Sequence, residues 1–144
     1  MYPDSEDANT QEQTAPAGFE AIAVGPSLTV ASLDTSMAWY RDVLGFAVER
    51  TYEREGKLMA VALRAGSVEM LLTQDNGAKG SDRVKGEGFS LMFTSLQDID
   101  ALAAGAKARG ATLDAEPADA FGMRVFRLRD PDGFKLAIAS QRPA

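Results

Sequence analysis

SLTVASL, residues 27–33, aligns without a gap on SLMFTSL, residues 90–96. Both begin and end Ser-Leu, and both read as strands, with Leu28 and Val30 on one face of the first. Asp34 predicts the cap of a helix through TSMAWYRDVLG, with Met37, Tyr40 and Val43 or Leu44 as its apolar stripe and Gly45 as its stop. FAVERTYE, KLMAVALRA and SVEMLLT then read as three strands. DNGAKGSDRVKGEG is polar and rich in glycine, as a linker is.

After the linker the pattern starts again. GFSLMFTSL is a strand, and Asp98 caps a helix through IDALAAGAKARG with Ile99, Leu102, Ala103 and Ala106 on one stripe. Lys107 and Arg109 stand near its C-terminus, where the helix dipole favours cations. ATLDAEP, GMRVFRLRD and FKLAIAS complete three more strands. The chain therefore reads βαβββ twice, which predicts two stacked copies of one unit in an α+β fold. The expected boundaries are an arm over 1–17 and one domain over 18–144. Within the domain, repeat one covers about 20–74, the linker about 75–87 and repeat two about 88–140.

The last strand leaves a turn, Asp130-Pro131-Asp132-Gly133. Proline presets φ, the carboxylates reach nearby backbone N–H groups, and glycine allows positive φ. Alternation then places Ala137 and Ala139 together on one face of FKLAIAS.

Composition excludes several classes of chemistry. The 144 residues include no cysteine, so disulfides and thiolate nucleophiles are absent. They include no histidine either, which removes the commonest metal ligand and general base near neutral pH, and with it any Ser-His-Asp triad. GAKG lacks the spacing of a phosphate-binding loop. Net charge is −6, with Asp4, Glu6, Asp7 and Glu12 in an arm that holds no Lys or Arg. No basic stripe suits nucleic acid, and an acidic balance mildly favours a neutral or cationic ligand. No apolar run is long enough to span a bilayer. The arm lacks the basic start and apolar core of a secretory signal, so the expectation is a disordered segment on a cytoplasmic protein.

The stretches SLDTSMAWYRDVLGF, SVEMLL, SLQDIDALAAGAKARGA and RLRDPDGFKL, in this order and spacing, resemble the vicinal oxygen chelate superfamily of glyoxalases, extradiol dioxygenases and bleomycin resistance proteins. The resemblance covers about residues 20–140 and is strongest at WYRDVLGF and RDPDGF. It implies eight strands curling as a mixed sheet around a cleft that a homodimer completes. It also implies four cleft-facing seats, two in each repeat, that in metal-dependent relatives hold His, Gln or Glu. Carried onto this chain, the seats are Ser27, Glu69, Ser90 and Ala137. A methyl group cannot ligate, and serine hydroxyls are poor ligands, so one carboxylate remains where a catalytic metal needs about three protein ligands. The expectation is no metal and no cofactor.

The same parity puts Thr29, Leu71, Met92, Thr94 and Ala139 on the cleft face, a lining suited to an organic ligand with few polar groups. Glu69, between Val68 and Met70 on the packed side, can anchor a cationic ligand or serve as a base. Arg124, Arg127 and Arg129 lie along one strand, and an inward one would instead bind an anion; the pattern does not choose among them. Of Trp39 and Tyr40, one belongs in the core, while Phe121 and Phe134 flank the last hairpin as rim, core or dimer contact. The leading expectation is a metal-free binder of a small organic molecule, as in antibiotic sequestration and closest to the bleomycin resistance members. The alternatives are a lyase, isomerase or dioxygenase of the glyoxalase type using Glu69, and a non-catalytic structural or ligand-sensing dimer.

Overall fold

A computed structural model describes residues 18–141; the expected N-terminal arm lies outside the described residues. Repeat one runs through β1 (Ser27–Val30), α1 (Leu33–Asp42), β2 (Ala47–Arg54), β3 (Lys57–Ala65) and β4 (Val68–Gln74). Repeat two runs through β5 (Ser90–Thr94), α2 (Ile99–Ala108), β6 (Leu113–Ala120), β7 (Met123–Arg129) and β8 (Lys135–Gln141). The expected tandem βαβββ architecture of the α+β class is present, its eight strands divided between two four-stranded sheets, β1-β4-β3-β2 and β5-β8-β7-β6. In each sheet the first strand runs parallel to the last and the other pairings are antiparallel.

The helix ends follow local chemistry. Asp98 caps α2, its Oδ1 accepting from the Asp100 and Ala101 N–H groups at 3.0 and 3.2 Å. Asp34 does not cap α1. That role falls to Ser32, whose extended backbone lets Oγ accept from Thr35 N at 3.3 Å, while Asp34 sits in the first turn where its charge suits the dipole. Gly45, at φ 85°, ends α1, and Phe46 N–H turns back to the Tyr40 carbonyl at 2.9 Å.

Each sheet packs one face on its helix. Leu28, Val30, Val61, Leu63, Met70 and Leu72 from the first sheet join Phe126, Leu128 and Leu136 from the second, around Leu33, Tyr40, Ile99 and Ala103, in one continuous core. Edge-to-face rings carry it across the repeats, from Trp39 to Tyr40, Phe46 and Phe93 with centroids 5.0, 5.3 and 5.9 Å apart. Tyr40 is the buried aromatic of α1 and Trp39 is only partly buried. Phe134 closes the core, whereas Phe121 stands almost wholly exposed at the β6–β7 turn. Met70 is buried, but Val68, at the first position of β4, has no strand beyond it to cover it and is 37% exposed.

Polar contacts close the seam between repeats. Tyr40 donates to Asp130 at 2.8 Å. Asp132 accepts from Ala31 N at 2.9 Å and from Lys85 Nζ at 3.2 Å, and Arg109 Nε donates to the Val43 carbonyl at 3.0 Å. The DPDG turn is thus more than a hairpin connection. Asp130 Oδ1 accepts from the Asp132 and Phe134 N–H groups at 2.9 Å each, and Gly133 takes φ 95°.

Candidate functional site

The faces left open by this packing carry the candidate residues, and the ladders give their order. On the first sheet, one row across the open face reads Ser27, Leu71, Ala62, Arg50, and the next reads Thr29, Thr73, Ala60, Tyr52. Thr29 and Thr73 share a hydroxyl hydrogen bond of 3.2 Å. On the second sheet the rows read Ser90, Lys135, Arg129; then Met92, Ala137, Arg127, Ala115; then Thr94, Ala139, Val125, Ala118. Ala137, Ala139 and Val125 form a small buried cluster of their own, apart from the main core, with Ala120 and Met123 packed against it.

The candidate residues therefore fall into two groups. Ser27, Thr29, Glu69 and Leu71 share the first sheet, and Ser90, Met92, Thr94 and Ala137 share the second. Among the described residues, no hydrogen bond or ion pair joins the open-face strand residues of one sheet to those of the other.

The four seats are not neighbours in register. Ser27 stands across from Leu71, and Ser90 across from Lys135. Glu69 lies two residues beyond the end of the β1 ladder, at the level of Gly25, where a Cβ would come within 3.2 Å of the Glu69 carbonyl oxygen. The depression there, about 280 Å³, is lined by Gly25, Arg64, Ser67, Val68 and Glu69.

Glu69 does not stand alone on its face. The Arg64 guanidinium donates to Glu69 Oε2 through Nη2 and to Glu49 Oε2 through Nε at 3.2 Å. The partnership follows from the hairpin. A two-residue turn, Gly66-Ser67 with Gly66 at φ 60°, sets Ala65 across from Val68 and Arg64 across from Glu69. That signal was present in the letters RAGSVE and was missed. A divalent ion placed at Glu69 would have to compete with the Arg64 guanidinium, which holds both this carboxylate and the neighbouring Glu49, and two carboxylates fall short of the three or so protein ligands that a catalytic metal needs. Among the described residues, no group of three or more Asp or Glu side chains is disposed to hold a metal. The residues present do not fit the metal centre of the metal-dependent relatives.

The arginine ambiguity is resolved by parity. Arg124 lies on the helix side and pairs with Asp100 of α2 at 3.0 Å. Arg127 and Arg129 lie on the open face, and Arg129 pairs with Asp114 at 2.8 Å.

The family model described as Glyoxalase/Bleomycin resistance protein/Dioxygenase superfamily matches residues 19–138. The chain belongs to that superfamily. Among solved structures, this superfamily member is similar to the glyoxylase/bleomycin resistance protein/dioxygenase domain from Frankia sp. EAN1pec, at 20% identity and TM-score 0.69 over 88% of this chain and 96% of that one. It is similar to TioX from Micromonospora sp. ML1, at 17% identity and TM-score 0.67 over 83% and 98%. It also resembles a glyoxalase/bleomycin resistance protein/dioxygenase from Nocardioides, at 17% identity and TM-score 0.65 over 97% and 95%. At these identities the likeness shows the fold. No curated protein matches the sequence. Among the described residues, no helix of this superfamily member is long and apolar enough to cross a membrane.

Proposed function

We propose that this chain is a metal-independent binding protein that holds a small organic molecule against its open sheet faces, in a cleft completed by a second copy, as in antibiotic sequestration. The observation that carries this reading is the lining itself. Short hydroxyls (Ser27, Thr29, Ser90, Thr94) alternate with Leu71 and Met92, the buried methyls of Ala137 and Ala139 lie beneath the second sheet's part of this surface, and the carboxylate at Glu69 is engaged by Arg64. Such a surface offers contact area and few obligatory polar partners, the usual chemistry of an organic-ligand pocket.

The homodimer rests on what one chain leaves bare. Met92, Phe89, Tyr52 and Val68 are exposed, and Phe19, Ile22 and Val24 in the segment before β1 are between 92 and 104% exposed. The parallel edge strands β1 and β5 each keep one unpaired side. Apolar area and open strand edges of this kind are normally covered in a stable protein, and a second copy covers both at once.

The test is sedimentation at micromolar concentration with a thermal-shift screen of the native protein. A mass near twice 15.4 kDa, and melting temperatures raised by organic ligands but not by Zn²⁺, Ni²⁺ or Mn²⁺, fit the reading. A stoichiometric metal that Glu69→Gln releases would overturn it in favour of a glyoxalase-type enzyme. A monomer that no organic ligand stabilises would remove the cleft altogether.

A further inference from the structure

We infer that the second copy is held by strand exchange: residues 19–25 of each subunit add to the free edge of β5 in the other and lay Ile22 and Val24 beside Met92 on the open face. This rests on the homodimer of the reading above and names the residues that complete its cleft.

Two four-stranded sheets have four edges, and three of them are closed to a further strand. β2 carries Glu49, Arg50, Glu53 and Arg54, and its register breaks between Val48 and Arg50 and between Tyr52 and Glu53. β6 carries Asp114, Glu116, Pro117 and Asp119, and its register shifts twice. β1 is closed by its own chain. Its even-numbered residues bond toward β4, since the Pro26 and Val30 carbonyls accept from Leu71 N and Asp75 N at 3.0 and 2.9 Å. On the outward side, the Thr29 carbonyl accepts from Lys85 Nζ at 2.7 Å and the Ala31 N–H donates to Asp132 at 2.9 Å.

β5 differs on each count. SLMFT holds no charge and no proline, and keeps one register with β8 from end to end. Ser95 N–H donates to the Ala139 carbonyl at 2.8 Å, so by alternation Leu91 and Phe93 bond toward β8. The N–H and C=O groups of Ser90, Met92 and Thr94 then point outward. Among the described residues, none of them has a hydrogen-bond partner.

The segment before β1 is the matching half. Phe19, Ile22 and Val24 are almost wholly exposed, and no backbone group of residues 19–25 is hydrogen-bonded among the described residues. The segment holds no proline and one charge, Glu20. Extended, it spans about 23 Å, longer than β5. Alternation sets Ile22 and Val24 on one face of the added strand and Phe19, Ala21 and Ala23 on the other. The first pair extends the open face at Met92, which is 49% exposed, and the second set meets the partly buried Leu91 and Phe93. Pairing β5 with β5 of the second copy would leave the segment bare, whereas exchange satisfies both unpaired backbones in one contact.

The chain has no cysteine, so introduced cysteines report the contact without background. Ile22→Cys and Met92→Cys chains, refolded together and treated with a short bismaleimide, should give a covalent species near twice 15.4 kDa beyond what either gives alone. Lys57→Cys, at the β2–β3 turn, should give none in place of Met92→Cys. Ile22→Asp with Val24→Asp should weaken the dimer at least about tenfold in sedimentation and leave cooperative unfolding intact, because both side chains are exposed in their own chain. Met92→Pro, which removes an outward N–H, should weaken it too. A dimer that keeps its affinity in the aspartate variant and gives no mixed product overturns the exchange and leaves the homodimer standing. Dissociation by the aspartates without the mixed product puts the segment elsewhere in the contact and also overturns it. A product that forms only when both cysteines share one chain means that the segment folds back on its own β5, and the exchange fails. A native monomer overturns both readings.

Discussion

Tyr40 on α1 donates a 2.8 Å hydrogen bond to Asp130, 90 residues further along the chain, and neither side chain reaches solvent to any useful extent. The bond crosses the seam between the repeats. Burial, the Asp130 charge, the hydrogen bond to it and the Asp132 charge all hold the phenol proton on, so Tyr40 stays a donor at any working pH. Tyr40→Phe keeps the ring stack on Trp39 and Phe46 and removes only the O–H. It should destabilise the fold by about 1–3 kcal/mol, the cost of leaving a buried acceptor short of a partner. Urea unfolding measures this; a loss under about 0.5 kcal/mol would mean that water replaces the bond.

Asp130 makes the stability depend on pH in an unusual direction. Burial pushes its carboxyl above the ordinary 3.8, against the Tyr40 hydroxyl and the Phe134 and Asp132 N–H groups, which favour the anion; the Asp132 charge adds to the rise. A group with a raised folded pKa holds its proton more tightly folded than unfolded. Its stabilising contribution is complete below the unfolded value of 3.8 and is lost as pH rises through the folded pKa. Asp130→Asn lacks this contribution. The melting temperature of the native protein relative to Asp130→Asn should therefore shift in the native protein's favour as the pH falls from neutral toward 3.8. A difference that stays flat with pH would show that Asp130 is not shifted.

Much of this was legible in the letters, and the gaps have physical causes. The repeat of SLTVASL in SLMFTSL and the two helix-then-glycine patterns give the tandem architecture, because period and turn chemistry are local. Parity along β1, β4, β5 and β8 gives the faces for the same reason. Register does not follow from parity. Ser27 meets Leu71 rather than Glu69 because the length of the β1 ladder is set by pairing across 44 residues of chain. The Arg64–Glu69 pair was within reach of a hairpin argument. The tie from Lys85 to Thr29 and Asp132 was not, since nothing in DNGAKGSDRVKGEG says which lysine turns inward.

Gly86 gives a sharp test of how the linker is seated. It holds φ 71°, and a Cβ there would come within 2.8 Å of the Phe134 ring. Gly86→Ala meets backbone strain and the ring together and should cost about 1–3 kcal/mol. Gly88→Ala, also at positive φ but with nothing within 4 Å of the added methyl, isolates the backbone component. Equal melting temperatures for the two variants would show that the linker does not press on Phe134.

Lys85 is the linker's anchor. Its ammonium donates to the Thr29 carbonyl at 2.7 Å and to Asp132 at 3.2 Å, and lies 3.6 Å from Asp75. The Lys85 side chain is 13% exposed and that of Asp132 is 7% exposed, so neither charge is well solvated. Removing one partner therefore strands the other. Lys85→Met keeps the apolar stem and removes the cation, leaving Asp132 with the Ala31 N–H at 2.9 Å and a long contact to Ser36 at 3.5 Å. The expected loss is about 2–4 kcal/mol, toward the lower end of what breaking a buried pair costs. Asp132→Asn should destabilise as well, and the double variant should lose clearly less than the two single losses combined, because the stranded charge is gone. Salt separates this pair from a surface one. The Lys85–Asp132 coupling should persist at about 1 M NaCl, while that of the exposed Arg41–Asp42 pair should vanish. Additive losses in the double-mutant cycle would mean that the linker is held by its turns alone and that Lys85 contributes nothing through Asp132.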